Sequence, residues 1–134
     1  QEEAADLRQT LSAEGMDLVS LIAPTTADRR AREIATTGSG FLYYVSLKGT
    51  TGSGALAVDE VAERMSFLQT LTNVPICVGF GIKDAKSAAA VSAHADGVVV
   101  GSALVQLMAD SPDPATASQR LQTAVADIRN GLDG

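Results

Sequence analysis

Two stretches carry the residue types from which chemistry could be built. They are Val78-Gly79-Phe80-Gly81-Ile82 and Val98-Val99-Val100-Gly101-Ser102-Ala103. Each is an apolar run that ends in glycine and leads into residues of helical pattern. Glycine lets an oxyanion approach the main chain closely, and a helix start offers unpaired N–H groups and partial positive charge. Two such turns in successive strand–helix units predict one shared anion site built from Gly79, Gly81, Gly101 and Ser102. A third stretch, Gly49-Thr50-Thr51-Gly52-Ser53-Gly54, follows another apolar run. It reads as a loop that could close over the same anion, adding the Thr51 hydroxyl and the Gly52 N–H and shutting out water. The plainer alternatives are that the glycines only permit tight turns and that the loop is simply solvated. The recurrence of glycine turns after successive strands favours a site.

Other reactive side chains are set less well for chemistry. Lys48 and Lys83 stand among small or polar residues, where nothing would desolvate an amine into a Schiff-base nucleophile. His94 reads as a turn residue at a helix exit, and Cys77 as part of a buried strand. Asp17 and Asp96 precede strands, which puts them at the wrong end of a parallel sheet. Asp59, Glu60 and Glu63 fall on a helix, and Asp84 is placed to cap one. The chain therefore offers an anion cradle and no evident acid or base. Groups that would transfer protons are expected outside it.

The elements needed to hold such a cradle can be read from periodicity. Helices are predicted over residues 3–14, 27–36, 58–70, 85–93, 103–108 and 117–130. Strands are predicted over 17–23, 41–46, 76–79 and 97–100. Thr25 or Thr26 would cap the second helix, and Gly131 would stop the last. Ala4, Leu7 and Leu11 would form the buried stripe of the first helix. Ala27, Ala31 and Ile34 would form that of the second, Val58, Val61, Met65 and Leu68 that of the third, and Leu121, Val125 and Ile128 that of the last. Strands alternating with helices imply right-handed βαβ units and a parallel sheet. Four such units are half of the eight that make a (β/α)8 barrel of ~250 residues. The short helix ahead of the last long one favours the barrel over an open sheet, because barrel phosphate sites often use one. The expected fold class is thus α/β, half of a TIM barrel, as one partial domain over residues 1–134.

Composition is consistent with this. With 46% hydrophobic residues and only 4% aromatic ones, the core must be largely Val, Leu, Ile and Ala, the usual filling of parallel α/β proteins. A net charge of -6 argues against nucleic acid or an anionic membrane surface as partner. A single cysteine cannot form an internal disulfide and fits a cytoplasmic location. No apolar stretch approaches a membrane span, and no leader-type segment is evident. The chain starts on Gln1 rather than Met, so a cut N-terminus is expected.

Three segments together resemble the tryptophan synthase alpha chain family. They are Phe41-Leu42-Tyr43-Tyr44-Val45-Ser46-Leu47-Lys48-Gly49-Thr50-Thr51-Gly52, Pro75-Ile76-Cys77-Val78-Gly79-Phe80-Gly81-Ile82 and Ala95-Asp96-Gly97-Val98-Val99-Val100-Gly101-Ser102-Ala103. The resemblance implies the C-terminal half of that barrel, from its fourth helix and fifth strand to its end. It implies cleavage of indole-3-glycerol phosphate to indole and glyceraldehyde 3-phosphate by the complete protein. Gly52, Gly81, Gly101 and Ser102 would hold the substrate phosphate. Thr51 would be the closing loop residue, and Tyr43 and Phe80 would line the indole pocket. The family's two catalytic carboxylates have no counterpart in this sequence. The resemblance further implies a tryptophan synthase beta chain as partner, carrying pyridoxal phosphate, and no cofactor in this chain. Two other readings stand beside it: a non-catalytic half-barrel that associates with itself, and another phosphate-binding barrel.

Overall fold

The computed structural model describes residues 2–46, 58–79 and 81–134. The predicted closing loop with Lys48, Thr51 and Gly52, and the predicted pocket residue Phe80, lie outside the described residues. The elements follow in the order α1 (Glu2–Ala13), β1 (Ser20–Ile22), α2 (Asp28–Thr37), β2 (Leu42–Val45), α3 (Val58–Gln69), β3 (Ile76–Gly79), α4 (Ala85–Ser92), β4 (Gly97–Val99), α5 (Ser102–Ala109) and α6 (Pro114–Asp133). The four strands form one parallel sheet in the order β1-β2-β3-β4. Among the described residues, β1 and β4 each pair on one side only, so the sheet is open.

Register decides which side chains meet. Ile22, Tyr44, Val78 and Val98 form one row across the sheet, with Leu42 and Ile76 in the row below. These residues point to the helical layer. There they meet Ala31 and Ala35 of α2, Val61, Met65 and Leu68 of α3, Ala88 and Val91 of α4 and Ile128 of α6. Alternation along each strand sends Leu21, Tyr43, Cys77 and Gly97, then Val45, Gly79 and Val99, to the opposite face. That face is apolar but only partly covered, and Leu21 keeps 58% of its surface exposed. In a closed barrel it would be the packed interior.

Several elements depart from the sequence expectation, each for a local reason. Strand β1 covers only Ser20–Ile22 rather than 17–23, because it pairs with β2 alone, starting at Ser20 opposite Leu42. The Leu18 N–H donates to Ser39 Oγ instead (3.2 Å). Thr26 does not cap α2; its hydroxyl accepts from the Ala23 N–H (3.0 Å), closing the turn after β1. Ala27 is exposed and Ala35 buried, so the buried stripe of α2 begins one turn later than expected. Leu7 and Val125, expected in buried stripes, are each 50% exposed. Cys77 is not core: it lies on the open face, half-buried, and burial together with the Asp96 charge raises its thiol pKa.

Helix α6 is longer at both ends than its periodicity suggested. Asp113 caps it by accepting from the Thr116 N–H (2.8 Å), and Pro114 takes a first-turn position where a missing N–H costs nothing. At the other end the helix runs through Gly131 to Asp133. Helix α4 has a reciprocal cap. Asp84 Oδ1 accepts from the Ser87 N–H (2.8 Å), and Ser87 Oγ accepts from the Asp84 N–H (3.1 Å).

These caps predict an acid limb of stability. Hydrogen bonds from Ser87 hold the Asp84 carboxyl below its usual range, and bonds from Thr116 do the same for Asp113. A depressed folded-state pKa means that the stabilisation is complete above the unfolded value near 3.8. It is lost as pH falls through the folded value. Thermal melts from pH 6 downward should show little change until about pH 4 and then a falling Tm. In Asp84→Asn/Asp113→Asn that fall should be shallower; an unchanged slope would assign the acid limb to other groups.

Candidate functional site

Because all four strands are parallel, their C-terminal ends share one edge of the sheet, where α/β proteins build their sites. Gly79 pairs with Val99. Two residues beyond each of these, Gly81 and Gly101 stand in the turns of neighbouring strands at that edge. Both are exposed. Gly81 has φ of 80°, a left-handed conformation that favours glycine. Gly101 has φ of -119° and ψ of -80°, so its conformation does not demand glycine. Among the described residues, a Cβ built on Gly101 would meet nothing within 4 Å.

The two turns are not equivalent. At α5, Gly101 caps the helix without a side-chain bond. The Leu104 and Val105 N–H groups donate to its carbonyl (3.0 and 3.1 Å). The N–H groups of Ser102 and Ala103 precede the first i→i−4 bond and have no intrahelical acceptor. At α4, the helix starts only at Ala85, and its first turn is already capped by the Asp84 carboxylate. Both helix starts were expected to face the anion; only that of α5 is left without a carboxylate of its own. Gly81 offers a turn rather than a helix end. The signal was present in the sequence, since Asp84 and Ser87 stand at capping-box spacing.

Tyr43 lies on the open face of β2, and its ring crosses over Gly79. A Cβ on Gly79 would overlap the ring and its hydroxyl. Gly79 is buried and leaves the predicted anion-binding set; its lack of a side chain makes room for Tyr43. At the same edge, the buried Ser46 donates its N–H to the Gly79 carbonyl (3.0 Å), extending the β2–β3 ladder to the point where the predicted closing loop begins.

Among the described residues, several other titratable groups are engaged in structural contacts or stand away from these turns. Asp96 Oδ2 accepts from the Ile76 N–H (2.8 Å) at the opposite end of the sheet. His94 lies at the exit of α4, where its carbonyl accepts from Gln69 Nε2 (3.2 Å). Asp28 pairs with Arg64 (2.6 Å), which also donates to the Thr26 carbonyl (2.8 Å) and stacks on Phe67 (4.9 Å to the ring centre). This clamp ties the turn after β1 to α3 across 36 residues of sequence, a separation that no local pattern reveals. Concave spaces of about 490 Å³ beside Leu107, Arg120 and Asp127, and about 380 Å³ beside Tyr44, Arg64 and Phe67, are lined by none of Gly81, Gly101 and Ser102.

Residues 1–132 match the family model described as tryptophan synthase alpha chain. The tryptophan synthase alpha chain of Chromobacterium violaceum is 48% identical over 131 residues, covering 98% of this chain and 50% of that one. The corresponding protein of Psychrobacter arcticus is 43% identical, covering 98% and 49%. The crystal structure of tryptophan synthase subunit alpha from Legionella pneumophila superposes with a TM-score of 0.81 at 31% identity, covering 98% of this chain and 48% of that chain. The chain thus spans about half the length of the relatives it matches, and its four strands are half of a (β/α)8 barrel. On its sequence match and its fold together, the chain belongs to the tryptophan synthase alpha chain family.

Proposed function

We propose that this chain supplies the substrate-phosphate half of an enzyme that cleaves indole-3-glycerol phosphate to indole and glyceraldehyde 3-phosphate. The observation that supports the reading is the pairing of Gly79 with Val99, two residues before Gly81 and Gly101 respectively, together with a first turn of α5 free of a side-chain cap. The phosphate sits against the N–H groups of Gly81, Gly101 and Ser102. Each helix-terminus contact contributes ~0.3–1 kcal/mol when exposed and more when water is excluded. Gly52 and Thr51 join from the closing loop, and Tyr43 and Phe80 flank the indole. Among the described residues, the carboxylate nearest in sequence to these turns is Asp84, which is engaged as a helix cap. The acid and base that protonate the indole ring carbon and handle its N–H are supplied by the rest of the complete protein.

The remaining strands of that protein cover the open face around Leu21 and Tyr43. A beta chain carrying pyridoxal phosphate receives the indole, and this chain needs no cofactor of its own. Calorimetric titration tests the phosphate site. Glycerol 3-phosphate should bind saturably at one site per chain, and glycerol should not bind. Equal indifference to both would overturn the reading.

A further inference from the structure

We propose that Gly131 is a positioning residue: the close approach of α6 to the first turn of α4 at this glycine fixes the turn that carries Gly81. The inference rests on the phosphate-site reading above for its functional meaning. A glycine inside a helix is normally unfavourable relative to alanine, so its place here calls for a compensating contact. That contact is with main chain. A Cβ on Gly131 would lie 2.5 Å from the Ala85 carbonyl oxygen, 2.9 Å from its Cα and 3.0 Å from its carbonyl carbon. None of these atoms can rotate aside as a side chain would.

Ala85 is the first residue of α4, and the residues before it are tied to it. The N–H groups of Lys83 and Asp84 both donate to Ser87 Oγ (3.0 and 3.1 Å). Ser87 in turn donates its N–H to Asp84 Oδ1 (2.8 Å). Ile82, next to Gly81, is 5% exposed and belongs to the core. The run from Ile82 to Ser87 therefore moves as one piece with the first turn of α4. On α6, Ile128 is buried and Leu132 packs against the core on either side of Gly131, so the helix cannot back away. A side chain at position 131 must push the first turn of α4, and with it Gly81, out of place.

The test uses amide NMR spectra and glycerol 3-phosphate titrations of the parent chain, Gly131→Ala, and the exposed neighbour Asn130→Ala. In Gly131→Ala the amides of residues 81–87 should move while those of 102–105 stay. The dissociation constant should rise about tenfold or more, and Tm should fall although alanine is the better helix former. Asn130→Ala should do none of this. A raised Tm with unmoved amides at 81–87 would overturn the proposal. If Gly131→Ala does not fold, deletion of residues 131–134 is compared with Leu132→Ala, which loses the same core contact and keeps Gly131; only the deletion should loosen α4. Amide exchange at Ala88 should then speed up about tenfold relative to Val105, and unchanged exchange would overturn it. If the parent chain does not bind glycerol 3-phosphate, the phosphate reading fails, and the shifts at 81–87 still decide the role of Gly131.

Discussion

Gly101→Asp should cost about 100-fold or more in affinity for glycerol 3-phosphate while leaving the fold intact. The two halves of this expectation have separate causes. Sterically the position is free among the described residues, because a Cβ there meets none of their atoms within 4 Å and φ is not left-handed. Tm should therefore stay within about 4 °C of the parent, the shift that ~1 kcal/mol produces in a domain of this size. Electrostatically, a carboxylate takes the place of the oxyanion at the start of α5. Two unit charges about 4 Å apart at an effective dielectric near 20 repel by about 4 kcal/mol. Even after solvent screening, that exceeds the ~2.7 kcal/mol equivalent to 100-fold. Gly101→Ala, which adds bulk without charge, should retain most of the affinity. The same change at Gly81 would be a poorer test, because its φ of 80° strains any side chain and would confuse folding with binding. Calorimetry on the two Gly101 variants checks the prediction; equal affinities would remove the anion from this helix start.

The second large effect is a reversal of sign at Gly79. In a strand, replacing glycine by alanine normally stabilises by ~0.5–1 kcal/mol. Here the new methyl group would overlap the Tyr43 ring. Gly79→Ala should therefore destabilise, by about 1–3 kcal/mol as an overpacked site does. In a Tyr43→Ala background the same substitution should be neutral or stabilising. Urea unfolding of the four proteins closes the cycle, and the interaction should amount to about 1–3 kcal/mol. Additive behaviour would mean that the ring does not lie over Gly79 or leaves it without cost. The far end of a tyrosine can swing away, so the ring orientation as well as stability should change. In the proposed enzyme that displaces one wall of the indole pocket.

Much of this architecture could be read from the chain because its signals are local. Strand β3 was bounded correctly by Pro75 before Ile76 and glycine at its end. The stripe of Val61, Met65 and Leu68 follows from helical spacing, and Asp84 stands at a cap position. What could not be read depends on what lies opposite. β1 is short because its one neighbour among the described residues begins at Leu42. Val125 is exposed because no described element packs over its side of α6, although its spacing from Ile128 is that of a buried stripe. Gly131 looked like a stop because glycine commonly ends helices, yet here it serves contact with another helix. The candidate site divided in the same way. The glycines could be found from their place after apolar runs. That Gly79 serves Tyr43, and that α4 is closed by its own carboxylate, are facts of register and capping geometry.

One measurement bears most directly on whether the two turns act as a single oxyanion site. In an amide NMR titration with glycerol 3-phosphate, the N–H signals of Gly81 and Ser102 should shift together and fit one dissociation constant, while that of Val125 stays still. Movement at only one of the two turns, or at neither, would contradict the shared site.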